Sequence, residues 1–87
     1  MKISIEYCTQ WGYLDRALSL REELENEFKN KFNEFKVTLI KGTGGVFEIM
    51  VNEHLQIFSK KELNRFPNSS YEIIKTINDS IDEGRLG

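Results

Sequence analysis

Cysteine, proline, histidine and tryptophan each occur once in this chain of 87 residues. The single cysteine excludes an intramolecular disulfide and a thiolate metal cluster, so Cys8 has to be understood from its location. His54 has no second ligand at metal-binding spacing and falls in a turn, which marks it as a solvated histidine; no metal site is expected. A marked excess of charge of one sign is also missing. The formal charge is -2, with acidic and basic residues interspersed. There is no basic stripe for nucleic acid and no field that would gather acidic substrates. No apolar run is long enough to span a bilayer, and the N-terminus alternates polar and apolar residues instead of forming a signal-peptide core. The expectation is a cytoplasmic protein without nucleic-acid or membrane partners, folded as one domain over residues 1–87 around a modest core.

What the chain does have is clear periodicity. Lys2 to Tyr7 alternates strictly, with Ile3, Ile5 and Tyr7 on one face, and reads as a half-buried strand. From about Gln10 to Phe32 the period becomes helical. Tyr13, Ala17, Leu20, Leu24 and Phe28 form the stripe, Leu14 and Leu18 widen it, and charged residues fill the other side. Phe35, Val37 and Leu39 alternate in a second strand that Gly42-Thr43-Gly44-Gly45 closes. Val46 to Val51 and Leu55 to Phe58 read as a hairpin around Asn52-Glu53-His54. Ser59 to Asn68 reads as a polar loop with Pro67. Ser69 and Glu72 then form a capping box ahead of Ile73, Ile74, Ile77 and Ile81, and Gly84 is the stop.

The order is strand, helix, strand, strand, strand, helix. A helical crossover makes the first two strands parallel, and the tight turn makes the last two antiparallel. Because each strand has one apolar face, both helices should lie on one side of a four-stranded mixed sheet. The other side should be largely open, with Glu6, Lys36, Thr38, Glu48 and Gln56 beside the less polar Ile40, Val46, Met50 and Phe58.

Cys8 falls where the first strand gives way to the helix. At a helix N-terminus, unpaired N–H groups and the macrodipole favour a thiolate, which makes Cys8 the one residue where reactive chemistry is expected. Two other features have plainer explanations. The Gly-rich segment lacks the Lys and Ser/Thr of a phosphate-binding loop and leads into a strand, so it is a turn. The carboxylates of the first helix recur on its polar side among arginines and lysines, which is a solvated face.

Four strings narrow the picture: Tyr7-Cys8 followed by Thr9-Gln10-Trp11, Gly42 to Glu48, Phe58-Ser59-Lys60-Lys61, and Arg65-Phe66-Pro67. In this order and spacing they make the chain resemble the selenoprotein W-like (Rdx) family over essentially its whole length. The resemblance implies an α/β (α+β) reduced thioredoxin-like fold with strand order 2-1-3-4. It also implies a redox protein linked to glutathione as co-substrate, with no bound cofactor, and a redox protein as a further partner. Cys8 matches the first position of the family's C-x-x-C or C-x-x-selenocysteine motif, and Trp11 occupies the second. Trp11 is either a genuine tryptophan or stands for selenocysteine, whose UGA codon is one base from that of tryptophan. Thr9, Gln10, Thr43 and Gly44 are the expected substrate-binding residues, since the segment entering the third strand faces the reactive cysteine in thioredoxin-like proteins. The implied activity is glutathione-dependent thiol-disulfide exchange or peroxide scavenging. The alternative is a non-catalytic interaction module that uses Trp11 and its loop as an anchor.

Overall fold

Strand β1 (Lys2–Cys8) follows the N-terminal alternation one residue further than expected, burying Ile3, Ile5 and Tyr7 on one face. It lies at the centre of the sheet. β2 (Lys36–Gly42) runs parallel to it, with Cys8 opposite Gly42, and β3 (Phe47–Val51) runs antiparallel on its other side, with Tyr7 opposite Phe47. β4 (Leu55–Ser59) completes the order β2-β1-β3-β4. The computed structural model describes residues 1–85; Leu86 and Gly87, the end of the expected domain, lie outside the described residues.

Helix α1 (Tyr13–Phe28) makes the crossover between the parallel strands, and α3 (Ser70–Asp82) follows the hairpin. Ala17, Leu20, Leu24 and Phe28 of α1 and Ile73 and Ile77 of α3 share one contiguous core with Ile5, Ile49 and Val51. Both long helices therefore cover the same face of the sheet, as the strand patterns require. The mixed four-stranded sheet with its helices on one face is the α+β, thioredoxin-like arrangement expected from the sequence.

Several local expectations are corrected. The first helix begins at Tyr13, after Gly12 in the left-handed region at φ 90°, instead of near Gln10. It ends at Phe28, and Phe32 packs back on the Phe28 ring at 5.9 Å from outside the helix. Leu14 and Leu18 do not widen the buried stripe, being 43% and 37% exposed. Phe58 belongs to the core and not to the open face, because the pairing of β3 with β4 is irregular at Ile49/Met50. Leu55 pairs with Val51 and Phe58 with Ile49, so this bulge brings both partners of β4 to the core side across one extra residue.

The loop after β4 contains a further short element, helix α2 (Lys60–Leu63). Ser59 caps it by accepting from the Glu62 N–H at 3.2 Å and donates its own proton to Glu48 Oε1 at 2.6 Å. Ser69 is the N-cap of α3 but makes no side-chain capping bond, so the expected capping box does not form. Glu72 turns instead to Arg65, in a two-pronged contact of 3.0 and 2.7 Å, and to the Asn68 N–H at 2.8 Å. The stop at Gly84 holds. Gly84 N–H donates to Ile81 O and Arg85 N–H to Ser80 O, satisfying the last carbonyls of α3.

Candidate functional site

Cys8 is the last residue of β1 and is buried, with 2% of its surface exposed. Strand alternation sets it on the face of Glu6, opposite to Tyr7, and it stands outside the contiguous core. Its N–H donates to Val46 O at 2.9 Å, across the mouth of the Gly-rich loop. Gly42 makes this close approach possible. A Cβ there would meet Val46 Cγ2 at 2.6 Å and Glu6 Oε2 at 2.8 Å. The segment entering β3 thus lies beside the cysteine, as the family resemblance implied.

The helix terminus does not. Thr9 to Gly12 intervene as bends and turns before the first helical residue, so the free N–H groups of α1 begin beyond this loop and not at Cys8. Trp11 is correspondingly absent from any helical turn. It stands 99% exposed, covering nothing. Thr9, Gln10, Thr43 and Gly44 are also exposed, on the two loops that flank Cys8. The structure therefore brings the two expected substrate-binding pairs to one end of the sheet, with the buried thiol on the last residue of β1, opposite Gly42 of β2.

A neighbouring group of side chains was not singled out by sequence. A Cβ on Gly45 would lie 3.4 Å from Tyr13 Oη and 3.9 Å from Lys60 Nζ. Tyr13 meets Phe66 edge to face at 5.0 Å, Phe66 meets Phe47 at 5.4 Å, and Arg16 sits 4.1 Å above the Phe66 ring. Lys60 and Phe66 stood in the strings that carried the resemblance, but nothing in their spacing signals that they meet. The segment bearing Phe66 is fastened by Arg65, which also donates to Phe66 O at 2.9 Å. The Arg65 guanidinium, hydrogen-bonded to Glu72, holds the Glu72 carboxyl below the usual carboxylate range, helped by the Asn68 N–H and opposed by partial burial. His54 is exposed in the hairpin turn, its Nδ1 2.7 Å from Asn52 O, far along the sheet from this cluster.

A family model described as the Rdx family matches residues 2–79. The chain belongs to the Rdx family. The fold agrees with solved relatives. A selenoprotein W-related protein from Vibrio cholerae is 32% identical, with a TM-score of 0.80 over 92% of this chain and 95% of that one. A crystal structure of a protein from Bordetella parapertussis is also 32% identical, with a TM-score of 0.78 over 90% of this chain and 94% of that one. Comparison with curated proteins gives no match. Membership of the Rdx family and likeness to a selenoprotein W-related protein suggest a thioredoxin-like redox role. Among the described residues, no helix of this Rdx protein is long and apolar enough to cross a membrane.

Proposed function

We propose that the chain is a glutathione-linked thiol redox protein of the cytoplasm, acting through Cys8. The observation that carries this is the lone thiol at the end of the central strand of an Rdx-family fold, beside a Gly-rich loop that leaves room for a substrate backbone. The Cys8 thiolate attacks one sulfur of a disulfide. A new Cys8–substrate disulfide forms as the substrate's S–S bond breaks, and the departing sulfur leaves as a thiolate that takes up a proton. Trp11 occupies the family's second motif position and cannot resolve this mixed disulfide. Resolution falls to a glutathione thiolate, which attacks the mixed disulfide, regenerates Cys8 and leaves as a disulfide with the former substrate sulfur. Thr9, Gln10, Thr43 and Gly44 flank the thiol and hold the substrate, whether oxidised glutathione or a redox protein. Because Cys8 is buried, the flanking loops have to open for attack.

The test is incubation with oxidised glutathione near neutral pH, followed by intact-mass measurement. One glutathionyl adduct per chain is expected, absent from Cys8→Ser and released by reduced glutathione. A thiol that reacts only after denaturation would leave Cys8 as a small buried apolar residue. The complete exposure of Trp11 favours the alternative, an interaction module anchored by that ring. It gains if Cys8 stays inert while Trp11→Ala changes the association state in sedimentation.

A further inference from the structure

The sheet ends differently at its two edges. β4 is five residues long and its pairing with β3 is broken at Ile49/Met50, a bulge of the kind that blunts an edge against further pairing. β2 has neither device. It is seven residues long, contains no proline and keeps an unbroken register with β1 from Lys36 to Gly42. Lys36 N–H donates inward, to Met1 O at 3.1 Å. Because backbone groups alternate along a strand, Thr38 and Ile40 also face β1, while Val37, Leu39 and Lys41 turn their N–H and C=O groups outward, where no further strand takes them up. Ile40, 45% exposed, and half-buried Leu39 lie along this edge. Leu14, Leu18, Arg21 and Glu25 recur at helical spacing on the flank of α1 nearest to it, away from the Arg16 and Glu23 side that adjoins α3.

We infer that β2 pairs with β2 of a second copy of this chain, antiparallel about a two-fold axis through Leu39, joining two sheets into one. This register opposes Leu39 to Leu39, Val37 to Lys41, Thr38 to Ile40 and Lys36 to Gly42. Every outward residue then meets another outward residue, and each such pair exchanges both backbone hydrogen bonds. A shift by two residues leaves Val37 or Lys41 without a partner in the strand. The charges are self-complementary as well. Within one copy Lys36 lies beside Lys2 and Glu6 beside Glu48, so like charges crowd each end of the open face. Neither Lys36 nor Glu6 joins the ion pairs found among the described residues, which are Lys31–Glu27, Arg65–Glu72 and Lys75–Asp79. In the dimer Lys36 arrives over Gly42 of the second copy, which has no side chain in its way. The Glu6 carboxylate leans over that same glycine, its Oε2 lying 2.8 Å from where a Cβ would stand, so a Lys36–Glu6 pair forms across the interface, twice by symmetry. On the helical side α1 runs antiparallel to β2, which puts Glu25 at the Lys36 end, where Lys41 of the second copy enters opposite Val37. This match of the edge to itself, in backbone groups and in charge, makes a second copy the occupant.

The test is sedimentation equilibrium of the chain in reducing buffer at concentrations up to ~1 mM, with amide hydrogen exchange followed over the same range. A monomer–dimer equilibrium is expected. Exchange of the Val37, Leu39 and Lys41 amides should slow as the dimer fills, while Thr38 and Ile40 stay protected throughout. Lys36→Glu and Glu6→Lys should each weaken self-association by roughly 3- to 30-fold. An equimolar mixture of the two variants should recover it, because each carboxylate then meets an ammonium across the interface. A monomer at every concentration, a dimer with unchanged exchange at Val37, Leu39 and Lys41, or full association of Lys36→Glu alone would each overturn the proposal. So would a mixture that fails to recover although both variants show the native circular dichroism spectrum. A dimer lost in Trp11→Ala but kept in Lys36→Glu would also overturn it, placing the contact at the Trp11 loop instead.

Discussion

At Cys8 and Trp11, three positions apart, the backbone decides more than the residue types do. Gly12 turns the chain through a left-handed conformation before α1 starts, and this leaves Trp11 on a loop with its ring in solvent. A cysteine at that position would sit on a short loop tethered to Cys8, giving a large effective concentration compared with free glutathione. Under the proposed chemistry, in which glutathione alone resolves the Cys8 mixed disulfide, Trp11→Cys, or selenocysteine there, should therefore give a reductase with faster turnover. Disulfide turnover measured for both proteins at matched glutathione checks this, and equal rates would show that position 11 is not the missing resolving site. Cys8 at the end of β1 and the Gly-rich turn were each legible because strand alternation and a run of glycines are local signals; that the two lie side by side was implied only by the family resemblance. The burial of Cys8 was not legible, because it depends on where Val46 and Glu6 come to rest around Gly42.

The buried stripe of α1 is narrower than its apolar residues, and stability should follow burial instead of hydropathy. Leu24 is fully buried, so Leu24→Ala should cost ~2–5 kcal/mol, whereas Leu18→Ala, on the exposed side, should change stability by no more than about 0.5 kcal/mol. Urea midpoints of the two variants separate these outcomes. The elements themselves were legible from periods of two and 3.6 residues, and the parallel crossover followed from helix length. Three details were not. The bulge in β4 shifts Phe58 to the core, Ser59 caps a helix of a single turn inside a polar stretch, and Glu72 leaves Ser69 for Arg65. Each depends on a partner distant in sequence or on a register that alternation alone cannot reveal.

The Arg65–Glu72 contact ties the segment between α2 and α3 to the rest of the molecule, and this gives stability a dependence on acid. The folded carboxyl lies below its ordinary value of 4.5, so the contribution is complete above that value and disappears as pH falls through the folded value. The melting temperature should drop over that interval, and Glu72→Gln should be less stable near neutrality but lose less on acidification. Parallel melting curves of the two proteins between neutral and acidic pH check the sign. The position of Trp11 has an optical consequence as well. With the only indole of the chain already in water, emission from the native protein should resemble that of the unfolded chain, and fluorescence will be nearly blind to folding. For the same reason the native background is clean. A blue shift on adding a candidate substrate would report occupancy at the mouth of the Cys8 loop, from a built-in probe that needs no label.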